Sequence, residues 1–155
     1  MRYWLYKCNT EGGPAGYWGH WRTMVFHKTS PTEWGGHYAT RSPVSASYIE
    51  NDVAPGDVVV AYQTDDQAVI GFCIVTDIKG PPGDKKLYLK PFELLPTPFA
   101  IHRHKQGTSL EGSWAVRGPS MLSELTRVNM EDLIALCGAP KRVLQGKPRA
   151  GGYQP

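Results

Sequence analysis

The segments PGDVVVAYQ (55–63) and AVIGFCIVTDI (68–78) decide the fold. Both contain runs of β-branched and apolar residues, a pattern typical of strands that are buried on both faces. The four residues between them, TDDQ (64–67), are polar, as expected for a reversal between antiparallel strands. We therefore predict a central β-hairpin, with Gly71 marking a bulge or a close approach in its second strand.

Two further segments extend this sheet. RYWLYKC (2–8) and KKLYLKPFELL (85–95) alternate in polarity and are rich in strand-forming residues, so each predicts a strand. TMVFH (23–27) is a candidate short strand, whereas the turn residues of 31–36 predict a loop. The predicted sheet is a meander of four strands.

Helices are predicted at two places. Ser42 and Pro43 form a good helix start before VSASYIEND (44–52). Asn129 is the predicted cap of MEDLIALCG (130–138), where Gly138 ends the helix. Together with the strands, these helices predict an α+β fold.

The bulk composition is that of one folded domain. The chain has 155 residues, 41% of them hydrophobic and 20% charged. The formal net charge of +3 is too small to hold long nucleic acids by charge alone, so tight binding requires a defined site. The domain is predicted over residues 1–138, and the basic segment 139–155 is predicted to be a flexible tail because it lacks hydrophobic periodicity.

The cysteine positions and the hydropathy of the chain predict its cellular location. Cys8, Cys73 and Cys137 are odd in number and far apart, which argues against a disulfide framework and against a paired zinc ligand set. No apolar run reaches the length of a membrane span, and no signal-peptide core is visible. We expect a cytoplasmic monomer with no membrane span, no metal and no cofactor.

Four segments resemble the EVE domain family when taken in order. They are MRYWLYK (1–7), PGDVVVAYQ (55–63), IGFCIVTDI (70–78) and GSWAVRGPSMLSELTRVNMEDLIAL (112–136). The resemblance implies a PUA-like fold, in which a curved sheet approaches a closed barrel with short helices at its rim, as in YTH domains. It also implies binding to DNA or RNA that carries a modified base, since EVE relatives are associated with methylated or hydroxymethylated cytosine.

A reader of a methylated base needs flat aromatic walls and a few hydrogen-bond donors. Our first candidate is the loop 34–42, in which Trp34 and Tyr38 are predicted walls. The donors in this loop are His37, Arg41 and Ser42. On this reading Trp34→Ala abolishes the preference for a modified base and leaves the fold intact. The alternative is that Trp34 plugs the barrel and Ser42 only caps a helix.

Other candidates lie elsewhere in the chain. Tyr62 and the Gln63 amide end a buried strand, where they suit either a base edge or a turn. Trp114 and Arg117 are candidates for the wall of a groove and a phosphate contact. The secondary candidates are Tyr6, Lys7, Cys8, Trp18 and Trp21.

Two other functions remain open at this stage. The resemblance extends to ASCH-type relatives, which are linked to hydrolysis of nucleosides, yet no catalytic triad or carboxylate pair stands out. The exposed aromatic residues also suit a protein-interaction module. His102 and His104 lie at metal-ligand spacing but lack a third ligand, so a solvated polar turn is the simpler interpretation.

Overall fold

A computed structural model describes residues 1–11 and 18–155. Within these ranges six strands form one mixed sheet that curls into a half-barrel, in the order β2-β5-β4-β3-β1-β6. The strands are β1 (Tyr3–Cys8), β2 (Thr32–Gly36), β3 (Val58–Gln63), β4 (Ala68–Lys79), β5 (Lys86–Phe99) and β6 (Leu122–Leu125). The α+β class predicted from the sequence is confirmed.

The predicted hairpin is at the centre of the sheet. β3, β4 and β5 form an antiparallel meander, as expected from their turn signals. β1 does not join the end of this meander. It lies between β3, with which it pairs in parallel, and β6, with which it pairs antiparallel. The sheet is therefore mixed, and the carboxyl ends of β1 and β3 meet at one edge.

Short helices surround the sheet. They are α1 (Pro43–Asn51), α2 (Ile101–His104), α3 (Trp114–Arg117) and α4 (Arg127–Cys137), with helical turns at Arg22–Phe26, His37–Ala39 and Lys141–Gln145. Ser42 caps α1 by accepting from the Ser45 amide, as predicted. α4 begins earlier than predicted, because the side chain of Thr126 accepts from the amide of Asn129 and the Asn129 side chain accepts from the amide of Thr126.

Two local predictions were wrong. TMVFH is helical rather than extended, and both Val25 and Phe26 of this turn are buried in the core. Residues 32–36 form the edge strand β2 rather than a loop. Gly35 makes this possible, because a β-carbon there would lie 1.9 Å from the hydroxyl oxygen of Tyr6. Tertiary packing therefore overrides the local turn signal.

The sheet separates two hydrophobic clusters. One contains Tyr62, Leu133 and Ile134 and packs beneath α4. The other is built around Trp4, Trp21 and Trp34. Residues of β1 alternate between the two clusters, as the period of a strand requires. Most of the large aromatic side chains are thereby committed to the interior.

Gly71 is a close-approach point, as predicted. A β-carbon at this position would lie 2.4 Å from the carbonyl oxygen of Glu93 and 2.6 Å from the ring of Phe26. Register shifts interrupt the pairing of β4 with its neighbours here. We expect Gly71→Ala to lower the free energy of unfolding by about 1–3 kcal/mol through overpacking. Urea unfolding measures this cost, and Gly112→Ala, which meets open space, is the control; equal stabilities would contradict the prediction.

The segment 139–155 packs against the domain, in contrast to the flexible tail expected from its composition. Val143 is fully buried, and the carbonyl of Leu144 accepts a 2.6 Å hydrogen bond from the Tyr3 hydroxyl. Tyr153 donates to the carbonyl of Phe26 at 2.6 Å, and burial raises its pKa to about 12. A few anchoring side chains therefore order a segment that has no hydrophobic period.

Candidate functional site

A cavity of about 380 Å³ opens beside Tyr62, and we refer to it as the Tyr62 pocket. Its volume falls in the range of pockets that hold small ligands. Its lining includes Lys7, Tyr62, Gln67, His102, Arg117 and Gly118. Three of these residues, Lys7, Tyr62 and Arg117, were predicted from the sequence.

The parallel pairing of β1 with β3 builds this pocket. Lys7 lies directly opposite Tyr62 in the register, near the carboxyl ends of both strands. α3 and the residue that follows it, Gly118, close the far side. The topology therefore places groups from three distant parts of the chain around one opening.

Lys7 forms the polar wall of the pocket. Its ammonium group donates to the carbonyl oxygen of Val116 at 3.3 Å and also to that of Gly118. Burial lowers the pKa of Lys7 to about 8. An ammonium group has three N–H donors, so these two bonds leave one donor for a ligand in the cavity.

Tyr62 forms the aromatic wall, although only 4% of its surface is exposed, so that it offers the cavity an edge of the ring rather than a whole face. Its ring lies edge-to-face with the imidazole of His102, with centroids 6.2 Å apart, and 6.0 Å from the Lys7 nitrogen. Burial raises the pKa of Tyr62. Burial and the nearby charges of Lys105 and Lys7 lower the pKa of His102. Both side chains are therefore uncharged at neutral pH.

Gln67 contributes to the same opening from the β3–β4 turn. Its φ of 51° is the only positive value for a non-glycine residue in the ranges that the structure describes. Gln67 and His102 also line a second cavity of about 380 Å³, which contains Asp65, Asp66 and Arg103. The Tyr62 pocket therefore continues into a groove.

The structure places Trp34 in the core, so its predicted role as a pocket wall is corrected. Its side chain is 2% exposed, and its ring packs 6.0 Å from that of Trp21. Its indole nitrogen donates to the sulfur of Cys8 at 3.2 Å. Trp34 therefore has a packing role, and it is not among the residues that line the Tyr62 pocket.

Four other candidates are also interior residues with structural contacts. Tyr6 and Trp21 are fully buried, and their rings meet edge-to-face at 5.0 Å. Burial raises the pKa of the Cys8 thiol. The Gln63 amide joins the Trp21 backbone nitrogen, at 2.9 Å, to Asp65 and Gly19. Gln63 therefore makes turn contacts rather than a base contact, which is the second of the two roles that the sequence left open.

The rest of the loop 34–42 is not part of the Tyr62 pocket. His37 pairs with Glu50 at 3.1 Å, and the amides of Gly83 and Lys85 hold the pKa of Glu50 down, to about 2. Tyr38 is exposed, and the Lys86 ammonium nitrogen lies 5.9 Å from the centre of the Tyr38 ring. Arg41 is also exposed. Ser42 has the capping role described above.

Two predicted tryptophans are on the surface. Trp114 is 60% exposed at the start of α3, and Trp18 is 66% exposed, next to Asn9 at the end of β1. Arg117, three residues after Trp114, faces the pocket from the same helix. Large exposed rings at this end of the sheet are available for stacking.

Sequence reasoning gave Gln67 and His102 no role in a base pocket. Gln67 lies in a turn with no sequence motif, and His102 was interpreted as part of a solvated polar turn. Both residues reach the pocket from elements outside the paired strands, the β3–β4 turn and α2, so only the folded chain brings them to Tyr62. In residues 1–11 and 18–155, no three His, Cys, Asp or Glu side chains lie close enough together to hold a metal ion.

No helix in the described part of the chain is both long and apolar enough to cross a membrane.

The fold has counterparts among solved structures. Human THYN1, in a crystal structure with DNA that contains 5-methylcytosine, matches with a TM-score of 0.70 at 12% identity, over 88% of this chain and 98% of that chain. The DUF55 domain of human thymocyte nuclear protein 1 matches with a TM-score of 0.68 at 12% identity, over 89% and 99%. A protein of Agrobacterium tumefaciens matches with a TM-score of 0.67 at 18% identity, over 96% and 99%.

Sequence comparison adds nothing to this result, because neither a family model nor a curated protein matches the chain. The structural matches cover nearly the whole of each counterpart. The chain therefore has the PUA-like α+β fold of the DUF55, or EVE, domain proteins, as the sequence resemblance implies.

Proposed function

We propose that the chain is a nucleic-acid-binding domain that holds a modified base in the Tyr62 pocket, with methylated cytosine in DNA as the first target to test. The observation that carries this proposal is the cavity itself, in which an aromatic wall faces an ammonium group at the carboxyl ends of β1 and β3. The shared fold with human THYN1 bound to 5-methylcytosine DNA supports it.

The base enters this pocket after leaving its stack, which costs a few kcal/mol. A hydrogen bond from the Lys7 ammonium group to a base acceptor and contact with the exposed edge of Tyr62 offset that cost. Both groups are fixed before binding, because Lys7 is held by two carbonyl oxygens and Tyr62 by the sheet. The site is therefore preorganised for a flat ligand that accepts hydrogen bonds.

The nucleic-acid backbone lies across the rim in this proposal. Arg117 is exposed beside the pocket, and Arg103 lies in the adjoining groove. A guanidinium group can form paired hydrogen bonds with a phosphate. In this proposal the exposed ring of Trp114, on the same short helix as Arg117, stacks on a neighbouring base.

Binding to a panel of oligonucleotides tests the function. The panel contains one 5-methylcytosine or one unmodified cytosine, in single- and double-stranded DNA and in RNA, and affinity is measured by fluorescence anisotropy. We expect tighter binding to the modified strand and a steep loss of affinity with salt. Equal, weak affinity for every oligonucleotide would sink the proposal.

Arg117 and Arg41 provide a matched pair of variants. Arg117→Gln is expected to weaken binding by a similar factor for all sequences and to lower the slope of log affinity against log salt by about 1, because one phosphate contact is lost. Arg41→Gln removes an equally exposed charge outside the Tyr62 pocket and should leave that slope unchanged. A lower slope for Arg41→Gln and an unchanged slope for Arg117→Gln would indicate that the loop 34–42, and not the Tyr62 pocket, contacts the nucleic acid.

Hydrolysis of a modified nucleoside is the competing function. The described residues that line the Tyr62 pocket include no carboxylate. The two carboxylates of the adjoining groove have structural partners, since Asp66 lies 2.6 Å from the His20 imidazole and Asp65 accepts from the Gln63 amide at 2.7 Å. The geometry therefore favours binding. Release of a product from a modified nucleoside incubated with the protein, detected by chromatography, would overturn this preference.

A further inference from the structure

The Tyr62 pocket carries an uncompensated positive charge. Lys7 is 7% exposed, and in the described part of the chain its ammonium group is paired with backbone carbonyl oxygens and with no carboxylate. Arg117 adds a second cation at the rim. The imidazole of His102 lies on the same pocket, where burial and the nearby charges of Lys105 and Lys7 lower its pKa.

A buried charge of this kind favours one class of ligand. Removing an ammonium group from water is costly unless an opposite charge or good acceptors replace the water. A methyl group placed against Lys7 supplies neither. An oxyanion supplies both, through a charge-assisted hydrogen bond to the remaining N–H donor.

We infer that the Tyr62 pocket binds an oxyanion of the captured nucleotide, and that the modification it selects is a carboxyl group on the pyrimidine ring. This inference rests on the proposed function and names the substrate class of the same site. The base contacts the exposed edge of Tyr62 and its carboxylate accepts from Lys7, while Arg117 at the rim contacts the backbone phosphate. A backbone phosphate offers the same oxyanion chemistry and is the alternative source that the experiment separates.

The direct test compares oligonucleotides that carry one 5-carboxylcytosine, 5-methylcytosine or unmodified cytosine. Binding is measured for the unchanged protein, for Lys7→Met and for Lys90→Met. Lys90→Met is the matched control, because it makes the same substitution at an exposed lysine of β5 that does not line the Tyr62 pocket. Inorganic phosphate is added as a competitor in a parallel series.

We expect the carboxylated strand to bind at least about tenfold more tightly than the methylated strand. One charge-assisted hydrogen bond contributes enough free energy for a difference in affinity of about this size. Lys7→Met should remove this preference, and Lys90→Met should retain it. Equal affinity for all three strands, lost in Lys7→Met and displaced by inorganic phosphate, would support the oxyanion site with the backbone as its source and would contradict modified-base recognition.

A pH series on the unchanged protein serves as a second test, needed if Lys7→Met fails to fold. The groups that face Lys7 are Tyr62 and His102, both neutral near pH 7–9, and Arg117, which stays charged. Of these groups, only Lys7, with its pKa lowered to about 8, changes charge in this interval. The affinity for the carboxylated strand should therefore fall about tenfold between about pH 7 and pH 9.

Two outcomes would overturn the inference, and they differ in what else they remove. A preference for 5-methylcytosine that survives both Lys7→Met and the rise in pH leaves the proposed function standing without an oxyanion site. If no oligonucleotide binds, and if inorganic phosphate shifts no NMR resonance of the pocket residues, both the oxyanion site and the proposed function are wrong.

Discussion

Trp34→Ala is expected to lower the free energy of unfolding by about 3–5 kcal/mol, because it empties a large volume in a closely packed cluster. The indole is 2% exposed, contacts the ring of Trp21 and donates to the sulfur of Cys8. Chemical denaturation followed by circular dichroism measures the loss. This expectation reverses the one made from the sequence, in which the same change spared the fold.

Trp18→Ala is the matched control for this prediction. Trp18 is 66% exposed, so its removal should change the free energy of unfolding by less than about 0.5 kcal/mol. A Trp34→Ala protein as stable as the Trp18→Ala protein would show that the Trp34 ring is not part of the core.

Arg142→Met is expected to cost about 3 kcal/mol of stability, because it leaves a buried carboxylate without its counter-charge. Arg142 contacts the carboxylate of Glu93 at 2.5 Å, and the Glu93 side chain is only 8% exposed. The methionine keeps most of the side-chain volume, so the measured loss reports the charge rather than a cavity. Thermal and urea unfolding at neutral pH provide the measurement.

Pairing this change with Glu93→Gln completes a double-mutant cycle. The double variant should be more stable than Arg142→Met alone, because the uncompensated charge has gone. Strict additivity of the two single changes would show that Arg142 and Glu93 do not interact. It would also mean that the segment 139–155 is held by its apolar anchors, among them Val143, and not by this ion pair.

The central sheet was predictable because its signals are local. The β-branched run of β3, the polar turn and the apolar run of β4 are each contiguous in sequence, and the hairpin lies where the pattern places it. β6 has only four residues and too little pattern to distinguish it from a loop. The helical turn Arg22–Phe26 forms against a core that sequence periodicity does not reveal.

The candidate site was only partly predictable, for a related reason. Tyr62 and Lys7 end strands, and strand ends are readable from the sequence, whereas their pairing in parallel register is a property of the whole fold. Trp34 was misjudged because loop-like neighbours suggest an exposed ring, although the ring turns inward between Trp21 and Cys8. Composition shows that aromatic rings are abundant, and only the topology shows which of them line a cavity.

The position of β1 between β3 and β6 has a consequence for synthesis in the cell. Tyr3 pairs with Val58 on one side and with Leu125 on the other, so β1 leaves the ribosome long before its second partner exists. Until then one hydrogen-bonding edge of an apolar strand stays open, which is a hazard for aggregation. Contacts between such distant residues also slow folding. The open edge of β1 therefore remains available to other strands, or to a chaperone, for longer.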